Sequence, residues 1–200
     1  YTALTPGMYT VTETANGNYE FVSFSNDSDG MTEGAQVEVV ANQNTVVTIT
    51  NKQKPATLTI NKIVTNPNGG NAKAIDFSFQ INGGTATTFA DVADDGDLMG
   101  QNVISVDPGT YTVTEVIPMG AYAISYSEAC TSAVLGSNGS ATCTITNSDI
   151  PAGKGAITVR KIVNNMYGGT LTVSNFNLFV NDGETNTGVT SGQSNFLNPG

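Results

Sequence analysis

The chain lacks histidine and tryptophan altogether, and among its 200 residues it has two cysteines and only seven basic side chains. Without histidine, Ser-His-Asp triads and His-based metal sites are excluded. Serines are abundant, but no base or nucleophile-elbow pattern accompanies them, so no hydrolase is read. Charged residues make up 12% of the chain, and the net charge is −10. Nucleic acid and anionic membrane surfaces both need clustered Lys or Arg, so neither is an expected partner. No apolar run approaches the roughly 18 residues of a membrane span. No signal peptide is recognised, which implies a mature chain or a fragment. No stretch reads as a long amphipathic helix. No cofactor motif stands out, and none is expected. What fills the polar positions instead is Thr, Ser, Asn and 22 Gly. With 38% hydrophobic content, this is the composition of an all-β protein with many turns and one or two small cores.

The chain repeats itself. Leu58-Thr-Ile-Asn-Lys62-Ile-Val64 answers Ile157-Thr-Val-Arg-Lys161-Ile-Val163, 99 residues on. Phe77–Asn82 answers Phe176–Asn181 at the same offset, Thr48–Asn51 answers Thr144–Asn147, and Pro6-Gly7 answers Pro108-Gly109. A period near 100 residues suits a string of small β-sandwiches better than a solenoid. The ends do not respect that period. Residues 56–150 form one complete unit, residues 1–53 only the back half of one, and residues 156–200 only the front half of one. The proline-containing joints around Pro55 and Pro151 read as short and fairly stiff. Lys62 and Glu115 lie 53 residues apart; from Lys161 through residue 200 to Glu13 the count is 52. The two halves therefore add up to one whole domain, supplied by a neighbouring subunit or by a longer periodic chain; the alternative is a fragment whose halves happen to fit. A half-sandwich alone leaves sheet edges and an apolar face exposed.

Period-two alternation places Leu58, Ile60, Lys62 and Val64 on one strand face, with Tyr111, Val113, Glu115 and Ile117 on another and Cys143, Ile145 and Asn147 on a third. The second copy agrees through Lys161, Glu13 and Asn51. Lys62, Glu115 and Asn147 are thus polar residues on core-facing positions, where each is costly without a partner or a task. Burial lowers a lysine's pKa towards the nucleophilic amine and pushes a carboxyl towards its protonated form. A protonated glutamic acid can polarise the asparagine carbonyl. Attack by the amine with loss of ammonia then joins the two side chains by an amide. The alternative is a plain buried ion pair with a hydrogen-bonded asparagine.

The first-strand lysine, the Pro-Gly-x-Tyr-Thr-Val-Thr-Glu segment and the closing Ile-Thr-Asn resemble the Cna B-type, or SpaA-like, domains of bacterial surface proteins. That resemblance implies tandem Ig-like, prealbumin-like antiparallel β-sandwiches. It also implies isopeptide bonds Lys62–Asn147, with Glu115 as catalyst, and Lys161–Asn51, with Glu13, across the junction to an identical subunit or repeat. The expected role is structural, in an extracellular cell-surface filament, pilus-like fibre or stalk, with no enzymatic turnover on other molecules. The alternative is an adhesin whose loops bind a host or environmental ligand.

Lesser signals remain. Cys130 and Cys143 flank a stretch with Gly-Ser and Asn-Gly turn signals, so two strands joined by that turn could bring them into a disulfide; buried reduced thiols are the alternative. Asn26 and Asn138 match glycosylation sequons. Asp91, Asp94, Asp95 and Asp97 cluster in one loop, which reads as a solvated acidic loop rather than a calcium site, and no metal site is expected. Tyr122, Tyr126 and Phe24 are expected in core or edge packing, and Arg160 is expected to face outward.

Overall fold

Ten-residue strands with small or β-branched residues at alternate positions bury one face and leave the other to threonine, which is how the longest elements of this chain are built. In the computed structural model, residues 4–25, 34–92, 96–116, 122–181 and 183–197 are described. The Asn26 sequon, Asp94 and Asp95 of the acidic loop, the inward position at Ile117, and the junction residues 1 and 200 lie outside them. The chain divides into two compact units, Tyr1–Pro55 and Ala56–Gly200.

The first unit has four strands: β1 (Gly7–Val11), β2 (Tyr19–Phe24), β3 (Ala35–Val39) and β4 (Ile49–Gln53). They form two separate antiparallel ladders, β1 with β3 and β2 with β4.

The second unit opens with a β-sandwich. Its strands are β5 (Ala56–Thr65), β6 (Ser78–Ile81), β7 (Thr87–Thr88), β8 (Met99–Val106), β9 (Gly109–Tyr111), β10 (Val113–Val116), β11 (Tyr122–Tyr126), β12 (Ala133–Leu135) and β13 (Ser140–Asp149). One sheet has the order β11-β13-β5-β8; facing it are β10-β6-β7 and the pair β12-β9. The ladders are antiparallel except that β13 runs parallel to β5, so the first and last strands of the sandwich lie side by side. Leu58, Ile60, Phe79, Phe89, Val113 and Ile145 form its core. Each such side chain contributes about 1.5–3 kcal/mol on burial. Cys130 and Cys143 are joined by a disulfide.

Several details differ from the sequence reading. β14 ends at Thr158 and β1 at Val11, so Lys161 and Glu13, expected on strand faces, lie beyond the strands that precede them. Residues 110–117 are not one strand: β9 pairs with β12 and β10 with β6, with the switch at Thr112. There the Asn82 side chain replaces a ladder partner, accepting from Thr112 N–H at 2.8 Å, while Asn82 N–H donates to Thr112 O at 2.8 Å. Asn82 has φ 49°, a left-handed conformation that asparagine tolerates. Cys130 also does not sit on a hairpin strand. It ends a 3-10 turn, Glu128–Cys130, and β12 pairs away from β13.

Four further strands follow: β14 (Gly155–Thr158), β15 (Leu178–Asn181), β16 (Asn186–Val189) and β17 (Ser194–Leu197). Their ladders, β14 with β17 and β15 with β16, match β5 with β8 and β6 with β7. Similarly, β1–β3 and β2–β4 match β9–β12 and β11–β13. The ladders without a counterpart among the described residues are the two that stitch the sandwich together, β5–β13 and β6–β10. Exposure reflects this: Leu58 is 0% exposed, whereas Ile157 at the same strand position is 37% exposed.

The β14–β17 segment packs on the sandwich. Thr158 Oγ1 donates to Ile124 O at 2.5 Å, and Ser194 N–H donates to Ser125 Oγ at 3.0 Å. Arg160, expected to face outward, is half-buried. Its Nη2 donates to Val113 O at 2.8 Å and Cys130 O at 2.5 Å, and its guanidinium lies 4.7 Å from the Tyr126 ring. The planar fork of donors meets two carbonyls and an aromatic face, while its buried Nε meets no acceptor among the described residues.

Candidate functional site

Lys62 occupies the inward phase of β5, Glu115 that of β10 and Asn147 that of β13, so all three enter the core from different strands. They are 0%, 6% and 0% exposed. Lys62 Nζ donates to Glu115 Oε1 at 3.0 Å and to Asn147 Oδ1. Asn147 Nδ2 donates to Glu115 Oε1 at 3.1 Å, closing a triangle. Glu115 Oε2 is buried and meets no protein donor among the described residues.

The surroundings set the charges. Loss of hydration lowers the Lys62 pKa to about 8, against the opposing pull of Glu115. Loss of hydration also raises the Glu115 pKa, opposed by Lys62 and by the hydrogen bonds it accepts. Both shifts favour the neutral amine and the neutral acid, which is what nucleophilic attack on a carboxamide requires. The Lys62 ammonium also lies 4.1 Å from the Phe77 ring centroid and 5.6 Å from that of Phe89. Sequence reasoning missed these two aromatics; their signal was a pair of phenylalanines in the segments flanking β6. Tyr126, expected in core or edge packing, has a further role: its hydroxyl accepts from Glu115 N–H at 3.2 Å and pins that strand.

In the first unit, Glu13 and Asn51 are brought together in the same way. Asn51 Nδ2 donates to Glu13 Oε1 at 2.8 Å and Oε2 at 2.9 Å. Here, however, both residues are exposed. They line an open cavity of about 540 Å³ together with Tyr19, Phe21 and Phe24. Lys161 belongs to the second unit, where its Nζ lies 4.4 Å from the Phe176 ring centroid. Phe176 is the repeat counterpart of Phe77, so this lysine is posed over its aromatic as Lys62 is.

The remaining candidates are structural in their surroundings. Tyr122 packs edge-on to Phe77 at 5.7 Å, and Phe24 meets Phe21 at 4.8 Å. Asp97 pairs with Lys73 at 2.5 Å on the surface. Among the described residues, no three His, Cys, Asp or Glu side chains gather as a metal site. Asn138 is an exposed turn residue. No helix among the described residues is long and apolar enough to cross a membrane.

The sandwich belongs to a recognisable class. Residues 53–150 match the family described as a prealbumin-like fold domain, of the SpaA type. That segment of the chain is a SpaA-like prealbumin-fold domain, a β-sandwich. Among solved structures, the Bacillus anthracis TIE protein matches at 17% identity and a TM-score of 0.42, over 97% of this chain and 35% of that one. The minor pilin GBS52 of Streptococcus agalactiae matches at 16% identity and a TM-score of 0.30, over 58% of this chain and 60% of that one. The major pilin T3.2 of Streptococcus pyogenes matches at 15% identity and a TM-score of 0.29, over 74% of this chain and 69% of that one. The chain thus spans about a third of the length of the first of these. No curated protein matches it.

Proposed function

We propose that this chain is a structural subunit or repeat of an extracellular cell-surface filament or stalk, hardened by isopeptide bonds and linked to its neighbours by completion of split sandwiches. The observation that carries the reading is the buried triangle of Lys62, Glu115 and Asn147. Neutral Lys62 Nζ attacks the Asn147 side-chain carbonyl carbon while protonated Glu115 donates to its oxygen. The carboxylate then takes the proton from the attacking amine, delivers it to the departing nitrogen, and recovers its own proton from the former carbonyl oxygen as the C=O re-forms. One N–C bond forms, the C–Nδ2 bond breaks, and ammonia leaves. The amide carries no charge, so the cost of burying an ammonium disappears.

Because β5 and β13 are neighbours in the sheet, the bond joins the first and last strands of the sandwich. Pulling on the chain then loads a covalent link rather than a ladder of hydrogen bonds. The second bond, Lys161 to Asn51 of a neighbouring copy with that copy's Glu13, would weld subunits end to end. It is supported by the matching ladders, the Glu13–Asn51 pair in its open cavity, and Lys161 posed over Phe176. Boiling denaturing gels test the subunit link. A ladder of multimers that disappears with Glu13→Ala is expected; a single monomer band from concentrated protein overturns it.

A further inference from the structure

We propose that the loop Asn165–Leu171 is a docking cradle for Tyr19 of a neighbouring copy, whose phenol bridges Asn165 Oδ1 and Leu171 N–H and sets the register of the junction. This rests on the sandwich completion proposed above and adds a recognition contact to it.

The sandwich holds the template. Tyr122 Oη donates to Asn66 Oδ1 at 2.6 Å and accepts from Ala72 N–H at 3.0 Å. Asn66 Nδ2 donates to Ala72 O at 3.1 Å, drawing the loop into a cup. Gly70 forms its floor; a Cβ there would meet the Tyr122 hydroxyl and lie 2.8 Å from Asn66 Oδ1. The same cup recurs one repeat later. Asn165 Nδ2 donates to Leu171 O at 2.9 Å, and a Cβ on Gly169 would lie 2.7 Å from Asn165 Oδ1. No phenol enters it among the described residues, and Asn165 and Leu171 are exposed.

The missing phenol is on the other half. Tyr19 lies opposite Gln53, two positions from the Phe21–Asn51 pair. Tyr122 lies opposite Asp149, two positions from the Ile124–Asn147 pair. Tyr19 thus stands to Asn51 as Tyr122 stands to Asn147. It is 44% exposed, and among the described residues its hydroxyl has no protein partner. A Tyr19 seated in the cradle aligns Asn51 with Lys161, and a one-residue slip would break both contacts at once. The rest of the template is absent: Asp149, which accepts from Asn68 and Gly70 N–H, is replaced by Gln53, and Asn68 by Tyr167. The tyrosine bridge is therefore the polar pin that this junction retains.

The test uses the whole chain carrying Glu13→Ala, so that association is reversible, and measures self-association by sedimentation. Tyr19→Phe and Asn165→Ala are each expected to weaken it about tenfold, since each leaves a partner unpaired. The two together should weaken it no more than either alone, because they remove one shared contact. Association insensitive to both variants, or effects that multiply, overturns the cradle while leaving sandwich completion intact. No association of the Glu13→Ala chain at any concentration overturns completion and the cradle with it.

Discussion

Replacing Lys62 with methionine isolates the contribution of the proposed cross-link to the sandwich. The side chains are similar in length, so the core stays filled. No charge is left unpaired on the strand, and Glu115, its pKa raised by burial, remains hydrogen-bonded to Asn147 as the neutral acid. What is lost is the constraint on the unfolded chain. Lys62 and Asn147 are 85 residues apart, and closing a loop of that size restricts the unfolded state by about 4–5 kcal/mol. The disulfide spans 13 residues inside that loop, but the dependence is logarithmic, so the shortcut changes the figure by only about 0.1 kcal/mol. For a domain of about this size, each kcal/mol shifts the melting temperature by about 4–8 °C, so Lys62→Met should melt roughly 20–35 °C below the unaltered protein. Calorimetry on the full chain, under oxidising conditions, reads the sandwich transition. A drop of only a few degrees would refute the cross-link as the main constraint.

Bond formation should depend on pH in a particular way. The productive pair, neutral amine with neutral acid, holds the same single proton as the ion pair. The rate is therefore flat while that proton is retained, and falls as pH rises above about 8, where Lys62 is already neutral and the pair loses it. It also falls on the acid side, below the raised Glu115 pKa, where the amine is protonated as well. Freshly synthesised chain, diluted from denaturant into buffers of different pH and followed by mass, checks this; a rate still climbing at pH 10 contradicts it. Cys130→Ser opens a loop of 13 residues and should cost about 3 kcal/mol in urea unfolding. Arg160→Asn, which installs the residue of the other repeat, removes two hydrogen bonds to Val113 O and Cys130 O. It should speed hydrogen exchange in residues 155–160 without changing the mass deficit.

The strand phases were legible because β5 and β13 bury one face completely, so alternation in sequence maps directly onto burial. The inward positions of Lys62 and Asn147 followed from that phase, and Glu115 keeps its inward phase on the short β10. The parallel pairing of β5 with β13 was not legible, because alternation says nothing of strand direction. Nor was the partner switch at Thr112, which depends on a side chain, Asn82, 30 residues away. The half-burial of Arg160 was not legible for a related reason: an outward phase means solvent only where nothing docks, and here the preceding sandwich supplies Val113 O and Cys130 O. The disulfide partners were readable from spacing, but not the turn that presents Cys130, whose short 3-10 geometry leaves no periodic signal.

On the proposed function, Lys62 and Asn147 become one covalent unit. Intact mass of the purified chain, followed by mapping of the peptides that contain these two residues, tests it most directly. After allowance for the disulfide, the expected mass is short by one ammonia per bond, with a joined Lys62–Asn147 peptide pair and no deficit at that site in Glu115→Ala. A chain at its full calculated mass, with the two peptides released separately, would contradict it.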